Sequence, residues 1–170
     1  MLTVIEARFP EDMDAARALI RGFMAWAREA FAPDTHLVDR YFAGPAFEAE
    51  LDGLPGRYAP PAGRLLVARR GPEAAGVVAL RDLGGGTCEM KRMFVLDRER
   101  GSGVGRLLVD RLIEEGRAAG YARMRLDTSH HQHAAQRLYE RAGFRPIPPY
   151  YDPPEELRDW LRYYERDLAE

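Results

Sequence analysis

The segment RERGSGVGRLL, Arg98 to Leu108, sets Gly101, Gly103 and Gly105 at alternate positions between arginines and then runs into leucines. A glycine-rich turn entering a helix presents unpaired N–H groups at the positive end of the helix dipole, a combination that binds phosphate or pyrophosphate. Side chains there would hold an oxyanion away from the backbone, which is a physical reason for glycine. Arg98, Arg100 and Arg106 flank the turn and add charge suited to a polyphosphate. Two other phosphate loops do not fit. A P-loop needs Gly-Lys-Ser/Thr, whereas Arg106 and Leu107 follow the last glycine. A dinucleotide fingerprint needs G-x-G-x-x-G directly after a strand, whereas the spacing here is G-x-G-x-G and LDRER intervenes. On the loop alone, a flexible glycine-rich surface turn stays open as the alternative.

Other reactive residues are few. Cys88 is the single cysteine, so no internal disulfide framework exists and a reducing compartment fits. Next to Glu89 on a strand, it points to the opposite sheet face from that carboxylate. In HHQH, His131 and His133 lie two apart, which on a helix directs them to different faces. No carboxylate or cysteine nearby completes a ligand set, and no metal is expected.

These groups need a frame. Residues Leu2 to Arg8 alternate apolar and polar, as a strand does. EDMDAARALIRGFMAWAREAF carries Ala16, Leu19, Ile20, Phe23 and Ala27 at helical spacing and stops before Pro33. A shorter helix is expected over Pro45 to Leu51, then a Gly/Pro-dense loop. RLLVARR, AAGVVALRDL and GTCEMKRMFVL read as consecutive antiparallel strands. After the glycines, Val104, Leu107, Leu108, Leu112 and Ile113 share a helical face. ARMRLDT is a strand, HHQHAAQRLYERAGF a helix closed by Gly143, and FRPIPPYY and WLRYYERDL are extended. The order β-α-(α)-β-β-β-α-β-α-β-β predicts an α/β fold whose mixed sheet begins antiparallel and turns parallel at the helix crossovers.

Composition bounds the remainder. A chain of 170 residues buries roughly 70% of its unfolded surface and reads as one domain. The formal charge is −2, which argues against a nucleic-acid coat. No apolar run approaches the roughly 20 residues that span a bilayer, and the acidic N-terminus lacks a signal-peptide layout, so a cytoplasmic location is expected. All basic residues are arginines except Lys91, a compositional bias.

The pattern Arg100-x-x-Gly103-x-Gly105 between a strand and an amphipathic helix resembles the acetyl-CoA pyrophosphate loop of the GNAT superfamily of N-acetyltransferases. CEMKRMFVLDRERGSGVGRLLVDRLIEEGRAAGYARMRLDT looks like that superfamily's strand-loop-helix-strand core, and QHAAQRLYERAGFRPI like the helix and strand that follow. The resemblance implies a single N-acetyltransferase domain over residues 1–170, with an acetyl-CoA core near 86–149. It implies a sheet of about seven strands in which a splayed parallel pair, here MKRMFVL and ARMRLDT, leaves a V-shaped slot.

Residue by residue, it implies that the N–H groups of Gly101, Ser102, Gly103, Val104, Gly105 and Arg106, with Arg100 beside them, hold the pyrophosphate. The backbone of Met93, Phe94 and Val95 would pair with the pantetheine arm, with the Val95 N–H near the acetyl carbonyl. Tyr139 would protonate the departing thiolate, and Glu89 would be the general base. The competing reading of Glu89 is a strand carboxylate paired with Lys91 or Arg69, and that of Tyr139 is a core ring. Gln132 stands where the family often has an asparagine that bonds the pantetheine, and offers the same amide with a longer reach.

The expected activity is therefore transfer of the acetyl group of acetyl-CoA to a primary amine, of a small molecule, in a ternary complex. No metal, nucleic acid or membrane takes part, and a homodimer is the family-level expectation. The alternatives are a protein-amine acetyltransferase and a non-catalytic acyl-CoA-binding sensor. The acceptor pocket would draw on Trp26, Phe31, Tyr41, Phe42, Tyr58, Tyr150, Tyr151 and Tyr163, with Asp34, Asp39 or Asp152 as anchors for the amine.

Overall fold

The computed structural model describes residues 1–169 and runs β1 (Leu2–Glu6), α1 (Met13–Ala30), α2 (Thr35–Tyr41), α3 (Gly44–Asp52), β2 (Arg64–Arg70), β3 (Glu73–Gly84) and β4 (Thr87–Val95). It continues with α4 (Val104–Ala118), β5 (Arg123–Ser129), α5 (His133–Arg141), β6 (Arg145–Ile147) and β7 (Leu161–Asp167). The helix α2 lies in a stretch where the sequence suggested no element. It buries only Val38, so its seven residues present no repeating apolar stripe.

All seven strands form one sheet in the order β1-β2-β3-β4-β5-β7-β6. Only β4 and β5 pair in parallel. The strand β7 inserts antiparallel between β5 and β6, so β6 points along β5 without touching it. The expected second parallel neighbour is thereby displaced. The physical reason is pairing length: β7 pairs with β5 from Leu161↔Ser129 to Asp167↔Arg123, whereas β6 offers only Arg145 to Ile147.

Strand alternation sends Val67 and Val77 to one face and Leu66 and Val78 to the other. On the first face they pack under α1, α2 and α3 with Leu19, Ile20, Val38 and Leu51. On the second, α4 and α5 cover the sheet with Val104, Leu108, Leu112 and Tyr139. No helix among the described residues is long and apolar enough to cross a membrane.

Entry into α1 is fixed by Asp12, whose side chain is fully buried. Its Oδ2 accepts from the Arg8 backbone N–H and Nε, each at 2.8 Å, and its Oδ1 accepts from Arg69 at 2.6 Å. Hydrogen bonding from Arg8 holds its carboxyl well below the usual carboxylate range. Removing one partner of a buried pair leaves the other without compensation. Asp12→Ala is expected to lower unfolding free energy by about 3 kcal/mol in a urea titration, while Asp14→Ala, at the exposed partner of Arg17, should change it by less than about 1 kcal/mol.

Candidate active site

The parallel ladder of β4 and β5 runs from Thr87↔Arg123 to Glu89↔Arg125 and stops. Beyond it β4 keeps its other neighbour, with Phe94 opposite Val77 and Val95 opposite Gly76. The register there carries a bulge: β4 advances from Lys91 to Phe94 while β3 advances from Ala79 to Val77. Arg92 sits in the bulge at φ 58°, the one non-glycine residue with positive φ among those described. A left-handed backbone costs such a residue roughly 1–2 kcal/mol. Contacts that oppose this cost are plain: Arg92 Nε donates to Glu50 Oε2 at 2.7 Å, and its guanidinium lies over Phe42 and Phe47. On the β5 side, Met93, Phe94 and Val95 are left without a strand partner.

The gap is a cleft of about 510 Å³, lined among others by Trp26, Phe94, Val95, Arg100, Gly105 and Tyr139. At its mouth, Gly103 caps α4 at φ 89°, a conformation that glycine adopts without a steric cost. No side chain caps the helix, so the first-turn N–H groups of Val104, Gly105 and Arg106 stay unpaired and face the turn. A Cβ on Gly105 would lie 3.2 Å from Leu138 and 3.8 Å from Val95, inside the cleft wall. The loop itself is held from below: Ser102 Oγ donates to the Glu99 carbonyl at 2.6 Å, and Arg70 pairs with the Glu99 carboxylate at 2.8 Å. That arginine keeps the Glu99 carboxyl low.

Of the flanking arginines, only Arg100 lines the cleft, its guanidinium 4.1 Å from the Trp26 ring. Arg98 pairs with Glu73 and Arg106 with Asp110, both near the surface. Gln132 precedes α5; its Oε1 bonds Thr128 at 2.8 Å, and its side chain lines the cleft.

Behind the cleft lies a smaller chamber of about 40 Å³. Tyr139, Gln132 and Met93 line both spaces, so they mark the junction. The Tyr139 side chain is buried, burial raises its hydroxyl above the usual tyrosine range, and that hydroxyl has no protein partner among the described residues. The chamber wall includes Lys91, Asp127, Ser129, Tyr41, Phe42 and Trp160. Asp127 Oδ1 accepts from Tyr41 and Oδ2 from Tyr151, each at 2.6 Å. Burial pushes its carboxyl up, but Lys91, the two hydroxyls and Arg92 together bring it below the usual range.

Glu89 stands elsewhere. It is buried at the apex of the slot and lines neither space. Its Oε1 accepts from Arg81, the residue opposite it on β3, and its Oε2 from Tyr150, each at 2.6 Å. Neither Lys91 nor Arg69, the partners suggested by the sequence, holds it. Cys88 points into the other core, and burial pushes its thiol up to about 12. As a thiol it is no nucleophile near neutral pH.

Two groupings were invisible in the sequence. Asp34, which arrives from the turn before α2, hydrogen-bonds His131 at 2.7 Å and stands 4.0 Å from His130. A carboxylate therefore does join the histidines, contrary to the expectation from local sequence. Asp39 is taken by Arg28, and Asp152 stands near Arg158 at the surface. The chamber group of Lys91, Asp127 and Tyr41 spans β4, β5 and α2; its single local signal was that Lys91 is the chain's only lysine.

A parallel pair that parts beside an uncapped helix N-terminus defines an acyltransferase-type architecture. Residues 22–144 match the acetyltransferase (GNAT) family, and the chain belongs to that family and is an acyltransferase. It is 34% identical over 157 residues to an uncharacterized N-acetyltransferase of Schizosaccharomyces pombe, covering 90% of this chain and 88% of the relative. It is 39% identical over 128 residues to an IAA acetyltransferase of Azospirillum brasilense, covering 73% of this chain and 81% of that protein. In fold it is similar to a GNAT acetyltransferase of Staphylococcus aureus, with TM-score 0.77, 20% identity and 99% of each chain covered. It is also similar to an N-acetyltransferase of Thermoplasma acidophilum in complex with coenzyme A, with TM-score 0.74, 13% identity and coverage of 98% and 99%.

The loop geometry yields a separable expectation. Gly103→Ala should cost about 1–2 kcal/mol of stability through its positive φ. Gly105→Val should crowd Leu138 at a cost of about 1–3 kcal/mol and, unlike Gly103→Ala, also weaken coenzyme A binding by about tenfold or more in calorimetry, because its side chain enters the cleft.

Proposed function

We propose that the chain transfers the acetyl group of acetyl-CoA directly to a primary amine of a small molecule, in a ternary complex. The observation that carries this reading is the Tyr139 hydroxyl, unpartnered at the junction of the cleft and the inner chamber. The cleft suits the donor. Unpaired N–H groups of the turn and of the α4 start would take the pyrophosphate, with Arg100 beside them. The open edge of Met93, Phe94 and Val95 would take the pantetheine arm, and the Gln132 amide lies on the same path. With the thioester at the junction, the acceptor would meet it from the chamber side, with only a few of its atoms inside the chamber.

Four groups then act. The ammonium proton of the acceptor passes to Asp127, the carboxylate that faces the chamber, the freed amine attacks the thioester carbonyl, and its second proton leaves to solvent as the tetrahedral intermediate collapses. Glu89, the base expected from the sequence, takes part through the Tyr150 hydroxyl that separates it from solvent. The Val95 N–H meets the developing oxyanion. As the carbon–sulfur bond breaks, Tyr139 gives its proton to the departing thiolate and recovers one from solvent. Buried, protonated Cys88 supports direct transfer over a covalent enzyme intermediate. The names carried by the relatives in Schizosaccharomyces pombe and Azospirillum brasilense support acetyl transfer. The reducing conditions suggested by one buried thiol support a cytoplasmic setting.

Tyr139→Phe is expected to lower kcat by about 100-fold with coenzyme A affinity retained; full turnover in this variant would remove the acid role. Asp127 is charged above its lowered pKa, so wild-type kcat/KM should stay flat from there up to the pKa of the amine. Asp127→Asn must instead capture free amine from solution, so its kcat/KM should fall by about 100-fold at neutral pH and climb with pH. Glu89→Gln should cost less. A pH–rate profile of Asp127→Asn that overlays the wild type would exclude the assignment.

A further inference from the structure

Three polar groups of the inner chamber lack partners that buried groups normally have. Lys91 is 11% exposed, and its Nζ makes one hydrogen bond, to the Tyr41 hydroxyl at 3.0 Å, although an ammonium offers three donors. Asp127 stands 3.8 Å away, too far for a direct hydrogen bond. Trp160 Nε1 and Ser129 Oγ are fully buried with no hydrogen-bond partner among the described residues, and both residues line the chamber with Lys91. The Trp160 ring packs against the Tyr41 ring, their centroids 6.0 Å apart, on the same chamber wall. A buried donor left unmade costs about 1–3 kcal/mol. Several around one space mark where a ligand group belongs.

The chemistry of that group follows from the donors. An ammonium, an indole N–H and a hydroxyl all have hydrogens to give, and their match is an oxyanion. The chamber admits a few atoms, the size of a carboxylate rather than of a whole acceptor. The nearby cation Arg92 is occupied by Glu50, so Lys91 is the charge available. Asp127 on the same wall suits an ammonium, and Tyr151, 37% exposed, is the partner such an ammonium can displace from Oδ2. The Lys91 and Asp127 charges cancel, so a zwitterion enters without leaving a buried excess of either sign. A polyamine would bring surplus positive charge beside Lys91.

Building on the acetyl-transfer reading above, we infer that the acceptor is an amine that also carries a carboxylate, an amino acid. Lys91, Trp160 and Ser129 receive its carboxylate, and Asp127 receives its amine end.

The test measures coenzyme A thiol release by the full chain with acetyl-CoA. Glycine, L-alanine, L-leucine and L-phenylalanine are each compared with methylamine, ethylamine, isoamylamine and phenethylamine. At least one amino acid should exceed its bare amine in kcat/KM by about tenfold or more, because a site built to bond a group rejects the analogue lacking it. Lys91→Gln should collapse that ratio through a raised KM for the amino acid, and Lys91→Arg should restore part of it. Trp160→Phe, which keeps a ring in place, should lower the ratio independently and serves if Lys91→Gln does not fold. Preference of the wild type for bare amines, or ratios unchanged in the folded variants, overturns the inference while leaving acetyl transfer standing. Thiol release with no acceptor at all, despite coenzyme A binding, would mean that the acetyl-transfer reading has failed and this one with it.

Discussion

The departure of β4 from β5 after Glu89 is the constraint on which the site depends. Parallel strands normally continue their ladder, because a buried edge with unpaired N–H and C=O groups is costly. Here the parallel ladder ends at Glu89, and three residues further on β4 carries a bulge against β3 at Arg92, which is held by Glu50 and two phenylalanine rings. Since β3 follows the bulged strand, the sheet stays intact on one side while opening on the other. The opening provides the cleft, the free strand edge and the inner chamber together.

Electrostatics keeps the opening from collapsing. Each buried carboxylate near it has a defined partner: Glu50 with Arg92, Glu89 with Arg81, Asp127 with two tyrosine hydroxyls and Lys91 nearby. Removal of charge from water is costly unless such partners are present. The two carboxylates of the slot are both almost fully buried and differ in what they line. Both have each oxygen engaged, but Glu89 closes the apex, whereas Asp127, two residues further along the diverging strands than the last ladder pair, lines the chamber. Tyr150 and Tyr151, adjacent in the segment before β7, bond one carboxylate each and so tie that segment across the base of the slot.

Much of the frame was readable from local pattern. The strands RLLVARR and TCEMKRMFV are short apolar-rich runs bounded by turn residues, the helix after Gly103 carries a period-3.6 apolar stripe, and each forms where its pattern falls. The glycines at 103 and 105 announced a backbone approach because each has a local reason, a positive φ in one case and an adjacent wall in the other. The short helix α2 and the insertion of β7 were not readable. One depends on a single buried valine, the other on which strand offers the longer ladder.

Taken alone, the sequence determined the glycine-rich turn, the amphipathic elements around it and the family resemblance, because those depend on residues close together in the chain. Tertiary structure decided which carboxylate lines the inner chamber. Glu89, Asp127, Lys91, Tyr41 and Trp160 come from β4, β5, α2 and the segment before β7, and spacing along one strand says nothing about their distances across four. It decided too that Asp34 meets His131, 97 positions away. The reason is the same in each case. Local periodicity records which face a residue takes, while the partner it meets there is set by how separate elements pack.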